Sequence, residues 1–286
     1  MNEAEVERVR YQFGIKIKLS RMLNGGMIVV VKTPYQAYIA ETYGARAVIP
    51  IDKTHVEMTA ETGVIAMTDL QTIKNVMDRV MIPVIARVRV GHEVEAQVME
   101  ESHVDFIDEN ELLMETGIPH ITKHPFRIPF MGEAANLWDA LKRIKEGATI
   151  IRTKFAGNED KADIKGTIAI VKAVMDQIKE LRNQSEVELS SCALSSGVSV
   201  ELVTMVARSG HLPVPFFAAG GIFMPMDVAL LMRLGCNGVI ISSRAFNTIG
   251  PESRMSDIAH ALENYNDPAK LKGLAERTGG YGPKVM

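Results

Sequence analysis

The sequence has few cysteines, no long apolar run and no targeting stretch. Its two thiols, Cys192 and Cys236, form no C-x-x-C motif. Isolated thiols of this kind are typical of buried core residues, not of a disulfide framework or a zinc site. The first eight residues are acidic and lack the apolar segment of a secretory signal. Apolar runs stay far below the roughly 20 residues of a membrane-spanning helix. We therefore expect a cytoplasmic protein with no membrane partner.

An excess of positive charge is also missing. Lysine and arginine total 32 against 35 acidic residues, a formal net charge of -3. Without a basic run, this balance argues against nucleic acid as a partner. The seven histidines show no metal-type spacing, and no H-E-x-x-H, P-loop or G-x-G-x-x-G motif is present. The sequence therefore predicts neither a metal nor a cofactor. Hydrophobic residues make up 47% of the chain, which is typical of a globular protein with a large core.

Short apolar runs alternate with amphipathic stretches of helical period. The eight runs cover residues 27–31, 47–51, 84–88, 106–108, 127–130, 149–152, 216–219 and 238–241. Nearly continuous apolar strands separated by helices favour a parallel sheet covered by those helices. Eight strands close a barrel, although strand number alone leaves a doubly wound open sheet as the alternative. We predict one α/β domain, a (β/α)8 TIM barrel over 25–270, with an N-terminal extension and helix over 1–24 and a tail over 271–286.

In such a barrel the active face lies at the carboxyl ends of the strands. The positions predicted there are Val30, Ile51, Arg87, Asp108, Gly132, Lys154, Gly220 and Ser242. Lys154 could form a Schiff base with a carbonyl substrate, or could extend to solvent from a strand end. Asp108 could act as an acid or base, or could cap the next helix. Arg87 could bind an anion but has no amine for an imine, and Val30 can do neither.

A phosphate site is a second interpretation of two of these strand ends. Barrels commonly bind phosphate in the loops after the seventh and eighth strands. Gly220 and Gly221 follow the seventh predicted strand, and glycine permits close approach of the backbone to an anion. Ser242 and Ser243 follow the eighth, with Arg244 behind them. The alternative interpretation is a tight turn followed by a capping serine.

At these residues the sequence resembles the pyridoxal 5'-phosphate synthase subunit family. The most specific matches are residues 22–26, 82–96, 104–109 and 217–221. The resemblance implies a (β/α)8 barrel assembled as a hexameric or dodecameric ring. It also implies an activity that combines ribose 5-phosphate or ribulose 5-phosphate, glyceraldehyde 3-phosphate and ammonia, with the ammonia supplied by a glutaminase subunit. Family members use two lysines in turn, an aspartate on the first strand and glycine-rich phosphate loops.

The residues that the resemblance makes catalytic are only partly present. The family's first-strand aspartate falls on Val30, and its first imine-forming lysine falls on Arg87. The second lysine is kept as Lys154 and the fourth-strand aspartate as Asp108. The family's glycine-rich loop after Lys154 is replaced by residues 155–160, which contain a phenylalanine and two carboxylates. Such a loop should repel a phosphosugar.

The phosphate-binding segments depart from the family as well. The eighth-strand Gly-Ser-Gly becomes Ser242, Ser243 and Arg244. The segment that helps to form the second phosphate site is kept in altered form, with Lys142 and Arg143 as its basic residues. The resemblance still implies phosphate binding at Gly220 and Gly221.

The departures predict a subunit that is inactive on its own. The first covalent step needs a primary amine that can lose its proton, and an arginine supplies none. The sequence therefore favours a pseudoenzyme that assembles with itself or with an active homologue in a ring and modulates it. Two alternatives stay open. One is a Schiff-base enzyme acting on another sugar phosphate through Lys154, and the other is an active synthase in which Lys32 takes the missing role.

Overall fold

Eight parallel strands form the centre of the molecule. This computed structural model describes residues 3–53, 57, 66–110, 119–154, 163–248 and 250–278. The strands are β1 (Gly26–Val31), β2 (Ala45–Pro50), β3 (Ile85–Arg89), β4 (Phe106–Asn110), β5 (Phe130–Ala134), β6 (Ile150–Thr153), β7 (Phe216–Ala219) and β8 (Gly238–Ile241). Their order in the sheet is β2-β1-β8-β7-β6-β5-β4-β3. The Val48 amide donates to the Pro83 carbonyl at 3.0 Å, which joins β2 to the entry of β3. This closure confirms the predicted (β/α)8 barrel.

Helices follow the strands and cover the outside of the sheet. They are α1 (Glu3–Arg21), α2 (Pro34–Thr42), α3 (Leu70–Met77), α4 (Glu93–Glu101), α5 (Leu137–Lys145), α6 (Ile164–Arg182), α7 (Glu186–Ser196), α8 (Val200–Ser209), α9 (Pro225–Arg233), α10 (Pro251–Glu263) and α11 (Pro268–Thr278). A short 3-10 helix, Ser243–Phe246, follows β8. Local sequence fixes several starts: Thr33 accepts from the Gln36 amide at 3.1 Å, and Pro34 occupies the first turn of α2. Among the described residues, no helix has the length and apolar character to span a bilayer.

The core consists of two apolar clusters separated by the sheet. The larger one packs the outer face of the strands against the helices. The smaller one fills the barrel lumen and contains Leu23, Ile28, Val30, Ala47, Ile49, Ile51, Ile85, Phe106, Met131, Ile150, Phe217, Ala219 and Ile240. Successive residues of a strand point to opposite faces, so alternate positions belong to the lumen. This alternation identifies which charged residues enter the barrel.

Strand β5 lies further along the chain than the apolar pattern predicts. The predicted run was 127–130, whereas β5 covers Phe130–Ala134. The Pro129 carbonyl accepts from the Ile107 amide at 3.1 Å, but Pro129 has no amide hydrogen to donate, and the register with β4 starts at Phe130. Ala134 pairs with Thr153 of β6, so α5 begins at Leu137 after the capping residue Asn136. The prediction was wrong here because a glycine and a glutamate interrupt the apolar run.

Helix α1 covers the amino-terminal end of the barrel. Leu23, just after it, belongs to the lumen cluster. The Ser20 hydroxyl lies 2.8 Å from the Thr149 hydroxyl at the entry of β6. The buried Lys16 ammonium donates to the carbonyls of Lys123 and Phe126, and burial lowers the pKa of Lys16 while Glu100 partly opposes that shift. The extension thus packs directly on the barrel, and the domain boundaries proposed from sequence stay a prediction.

Candidate active site

Four charged side chains share one layer in the carboxyl-terminal half of the lumen. Arg87 and Asp108 lie two residues beyond the lumen residues Ile85 and Phe106, on neighbouring strands. Glu133 and Arg152 lie two residues beyond Met131 and Ile150, and they are register partners on β5 and β6. We call Arg87, Asp108, Glu133 and Arg152 the mouth cluster.

Ion pairs join all four members of the mouth cluster. The Asp108 carboxylate accepts from Arg87 Nε at 3.2 Å and from Arg152 Nε at 3.0 Å. Arg152 Nη2 lies 3.4 Å from the second Asp108 oxygen, so Asp108 bridges the two guanidinium groups. Arg152 Nη1 lies 3.1 Å from Glu133 Oε2. Two guanidinium groups and two carboxylates thus form a chain of ion pairs that extends over the adjacent strands β3, β4, β5 and β6.

Burial makes this pairing obligatory. The four side chains are between 0% and 4% exposed. An unpaired charge in such surroundings is strongly unfavourable, whereas a cluster with balanced charges is tolerated. To serve as a base, Asp108 would have to release guanidinium donors that hold both of its oxygens. Arg87 supplies a cation at the position predicted for it, but its guanidinium offers no free amine.

Val30, Lys154 and Lys32 are the other residues that the sequence placed near the mouth of the barrel. Val30 is 3% exposed and belongs to the lumen cluster, so its position holds an apolar contact. Lys154 directly follows β6, and alternation from Ile150 and Arg152 places it on the lumen side. Its backbone amide donates to the Ala134 carbonyl at 2.9 Å, and its side chain is partly buried. Lys32 follows β1 and forms an ion pair with Glu57 at 2.8 Å.

The predicted phosphate site after β7 has the backbone shape that requires glycine. Gly220 and Gly221 have φ angles of 107° and 66°, a backbone conformation that residues with a Cβ rarely adopt. The Thr167 hydroxyl lies 2.8 Å from the Gly220 carbonyl and 3.0 Å from that of Ala219. The Thr153 hydroxyl lies 2.7 Å from both the amide and the carbonyl of Ala219. Two threonines therefore hold the turn in place, and phosphate binding there stays a prediction.

The serines after β8 begin the short 3-10 helix. Ser242 accepts from the Arg244 amide at 3.3 Å, as the capping interpretation expected. Ser243 is buried at 4% exposure, and Arg244 is exposed. A phosphate ligand at Ser242 would have to share the hydroxyl with this cap. The replaced loop at 155–160 lies outside the described residues.

The two basic residues predicted for a second phosphate site point in different directions. Lys142 is exposed on α5. Arg143 is largely buried, packs over Gly132 with its Cγ 3.1 Å from the site of an added Cβ, and pairs with Glu146 at 2.9 Å. Gly132 therefore faces the helix layer, not the lumen. The structure does not test whether either residue binds phosphate.

A second group of buried charges lies on the outer face of β4. Glu109 is completely buried and accepts from the amides of Gly91 at 3.0 Å and Ile121 at 2.8 Å. Its other oxygen lies 2.6 Å from Lys123 Nζ and 3.2 Å from His120 Nδ1. Lys123 also pairs with Glu146 at 3.3 Å. With Arg143, which binds Glu146, these residues form what we call the outer cluster: Glu109, His120, Lys123, Arg143 and Glu146.

The outer cluster contains a possible set of metal ligands. Donor atoms of Glu109, His120 and Glu146 lie within 4.8 Å of one another. The Lys123 ammonium lies between the two carboxylates and supplies the positive charge that a bound cation would bring. The three residues are far apart in sequence, so no spacing motif could have indicated them.

Sequence reasoning missed Glu133, Arg152 and Lys123. The fifth-strand position was assigned to Gly132, one residue before the lumen-facing Glu133, because the strand itself was placed too early. Arg152 was noted only as part of an apolar run. Strand alternation counted back from Lys154 would have placed Arg152 in the lumen.

Comparison with known proteins identifies the family. Residues 12–219 match the SOR/SNZ family. The chain is 41% identical over 286 residues to the pyridoxal 5'-phosphate synthase subunit PDX1 of Phaseolus vulgaris, covering all of this chain and 90% of that protein. The chain belongs to the SOR/SNZ family. It is also 43% identical over 270 residues to the probable pyridoxal 5'-phosphate synthase subunit SNZ2 of Saccharomyces cerevisiae, covering 94% of this chain and 90% of that protein.

Two solved structures share the barrel with this chain at low sequence identity. Thiamine phosphate pyrophosphorylase from Pyrococcus furiosus superimposes with a TM-score of 0.51 at 14% identity, covering 87% of this chain and 99% of that one. The N-acetylmannosamine-6-phosphate 2-epimerase of Clostridium perfringens gives 0.50 at 10% identity, covering 78% and 89%. At this level of identity, the likeness concerns the fold only.

Proposed function

We propose that this chain is a subunit of the pyridoxal 5'-phosphate synthase type that does not carry out the synthase reaction alone. The names of its relatives support the assignment to vitamin B6 synthesis. The observation that carries the loss of activity is the ion pair of Arg87 with Asp108, buried in the lumen. It places a guanidinium where the family resemblance expects the first imine-forming amine.

The chemistry expected of that position explains why the substitution matters. An imine with a sugar phosphate needs an amine with an available lone pair, which a guanidinium lacks at usable pH. Val30 adds no carboxylate that could move a proton beside it. Asp108 is held by Arg87 and Arg152. Lys154 is the remaining candidate nucleophile, and it would serve only the later part of the reaction that the resemblance implies.

The role that fits these features is a non-catalytic member of a ring. We propose that the chain assembles with itself or with an active homologue, and that it modulates the stability or output of the ring. Extensive identity along the whole chain and a fully formed barrel support retention of an assembling scaffold. A glutaminase subunit, which the family resemblance implies, remains a possible further partner.

An active synthase that uses Lys32 is the competing hypothesis. The Lys32 ammonium donates to the Glu57 carboxylate at 2.8 Å, so an ion pair holds the nitrogen that would have to attack the sugar. A Schiff-base enzyme acting through Lys154 is a third possibility. Borohydride reduction in the presence of ribose 5-phosphate, followed by peptide mass spectrometry, tests both lysines. An adduct on either one would favour the corresponding enzyme.

The deciding experiment measures pyridoxal 5'-phosphate formation by absorbance and mass. The chain is assayed alone, an active relative alone, and the two after co-expression, each with the three substrates and ammonia. We expect the chain alone to be at least about 10³-fold slower than the relative, because covalent and acid–base groups act as a unit. Native mass spectrometry should show mixed rings in the co-expressed sample. Synthesis by the chain alone at the relative's rate would contradict the loss of activity, and the absence of mixed rings would contradict the assembly.

A further inference from the structure

A cavity opens at the amino-terminal end of the barrel, opposite the mouth. Its volume is about 350 Å³, within the range of small-molecule sites. Its walls come from the end of α1, from the loop that leads into β7 and from the residues just before β8. We propose that this cavity binds a small α-hydroxy acid, with Arg21 as the partner of the carboxylate and Asn24 as the partner of the hydroxyl.

The charge of the cavity lining favours an anion. Of the described residues around the cavity, the ionisable ones are Arg21 and His211, and neither is acidic. Arg21 Nη2 donates to the Pro213 carbonyl at 3.0 Å, which anchors the guanidinium at the cavity. This is the one side-chain hydrogen bond of Arg21 among the residues that the structure describes, and a guanidinium has five N–H donors. The remaining donors can form the paired hydrogen bonds that a carboxylate accepts.

An acceptor without a partner lies close to Arg21. Asn24 lines the same cavity, and its side-chain Oδ1 is buried with no hydrogen-bond partner in the described part of the chain. Such orphaned acceptors are uncommon in folded proteins, so Asn24 Oδ1 indicates a donor supplied by a ligand. The terminal torsion of asparagine is soft, which lets the amide turn its oxygen toward a molecule in the cavity. Because the ionisable groups here are basic, a neutral hydroxyl suits this acceptor better than an ammonium group.

The backbone holds Arg21 and Asn24 at a short separation. The Asn24 amide donates to the Arg21 carbonyl at 3.1 Å, so the two residues are the ends of one turn. The following amide, that of Gly25, donates to the Asn237 carbonyl at 2.6 Å and ties the turn to the entry of β8. The Cα atoms at the two ends of such a turn are less than about 7 Å apart. A ligand that reaches both side chains therefore needs its carboxylate and hydroxyl close together, as in an α-hydroxy acid.

Mandelate is the probe for this site. It carries a carboxylate, an adjacent hydroxyl and an apolar ring for the walls formed by Leu212, Pro213 and Pro215. Phenylacetate lacks only the hydroxyl, and mandelamide lacks only the charge. In a nuclear magnetic resonance titration of the full chain, we expect mandelate to bind in the millimolar range. Phenylacetate should bind about 5-fold more weakly and mandelamide at least about 10-fold more weakly.

Three variants separate this site from general anion binding. Arg21→Gln keeps a donor for the Pro213 carbonyl but removes the charge, so it should weaken mandelate binding about 10-fold and leave mandelamide binding unchanged. Lys18→Gln is the matched control, because Lys18 is an exposed cation on the same helix that does not line the cavity. It should bind mandelate as wild type does. Asn24→Ala should bind mandelate and phenylacetate equally, because the acceptor for the hydroxyl is gone.

Each outcome decides the proposal. Weaker mandelate binding in Arg21→Gln but not in Lys18→Gln supports it, whereas no binding to wild type or equal weakening in both variants overturns it. A preference for mandelate over phenylacetate that persists in Asn24→Ala also overturns it. Should Asn24→Ala fail to fold, the wild-type preference for mandelate over phenylacetate decides the role of the hydroxyl. Competition by inorganic phosphate as strong as that by mandelate would overturn the carboxylate assignment.

The site and its test are independent of the proposed function. The cavity lies at the opposite end of the strands from Arg87 and Lys154, and every readout is binding, not synthase activity. A chain that fails to bind mandelate could still be a non-catalytic ring subunit, and an active synthase could still bind it.

Discussion

Strand β4 carries two adjacent carboxylates that point to opposite sides of the sheet and meet different surroundings. Asp108 faces the lumen and is held by the guanidinium groups of Arg87 and Arg152. Glu109 faces the helices and binds the backbone amides of Gly91 and Ile121 as well as Lys123. The outer cluster therefore ties separate segments of the chain together. The ion pairs of the mouth cluster join side chains that converge on the lumen, which is where a substrate would react in a barrel.

The two clusters also differ in how far their side chains are exposed to solvent. All four side chains of the mouth cluster are at most 4% exposed, whereas Glu146 and His120 of the outer cluster are 25% and 14% exposed. Partly exposed groups can regain water or change protonation when a partner is lost. Loss of a charge should therefore be less harmful in the outer cluster than in the mouth cluster.

The largest effect is expected for Asp108→Ala. It removes the carboxylate that bridges two buried guanidinium groups, and we expect a loss of about 3–5 kcal/mol in the free energy of unfolding, measured in urea. Asp176→Ala is the matched control, because Asp176 pairs with Lys179 on an exposed surface and should cost less than about 0.5 kcal/mol. A loss for Asp108→Ala no larger than that of the control would mean that the mouth cluster is not the tightly coupled unit described above.

Lys123→Ala should have the next largest effect and should change the ion preference of the outer cluster. Removing the ammonium leaves the carboxylates of Glu109 and Glu146 together, at a cost of about 2–3 kcal/mol. These carboxylates and His120 then form a set suited to zinc, which should restore about 2.7 kcal/mol at ~100-fold excess over its dissociation constant.

The zinc response has its own controls. Lys123→Met removes the charge but fills the space, so zinc should stabilise it less than Lys123→Ala. Adding His120→Ala to Lys123→Ala should abolish the response. An undiminished zinc effect without His120 would show that the metal binds elsewhere.

The smallest effect is the pH dependence contributed by Glu146. Burial raises the pKa of Glu146 from its ordinary value of 4.5, although Lys123 and Arg143 partly lower it. The folded state thus binds this proton more tightly than the unfolded state, so the stabilising contribution is complete below pH 4.5 and is lost as the pH rises through the folded pKa. The glutamine of Glu146→Gln cannot ionise, so this variant should lack the loss of stability that Glu146 causes as the pH rises. Urea midpoints of wild type and variant, compared from about pH 4 to about pH 7, check it. If the urea midpoint of wild type rose relative to that of Glu146→Gln as the pH increases, the predicted direction of the pH dependence would be wrong.

Local patterns in the sequence were sufficient for most of the architecture. Apolar runs of strand length and intervening helical periods predicted the barrel, and Thr33 before Pro34 marked the start of α2, since these signals depend on neighbouring residues alone. The same signals misplaced β5, because the charged Glu133 there is compensated by a residue on the next strand. Sequence reasoning had no means of seeing that compensation.

The sequence by itself determined which functional groups are present at the mouth: an arginine at 87, a valine at 30, an aspartate at 108 and a lysine at 154. Only the tertiary structure decided how they are used. Strands β3 to β6 lie side by side in the sheet, so that Asp108 joins Arg87 to Arg152, and Arg152 in turn binds Glu133. The physical reason is that a charge in an apolar lumen must find its partner in space, and that partner lies on another strand, tens of residues away in sequence.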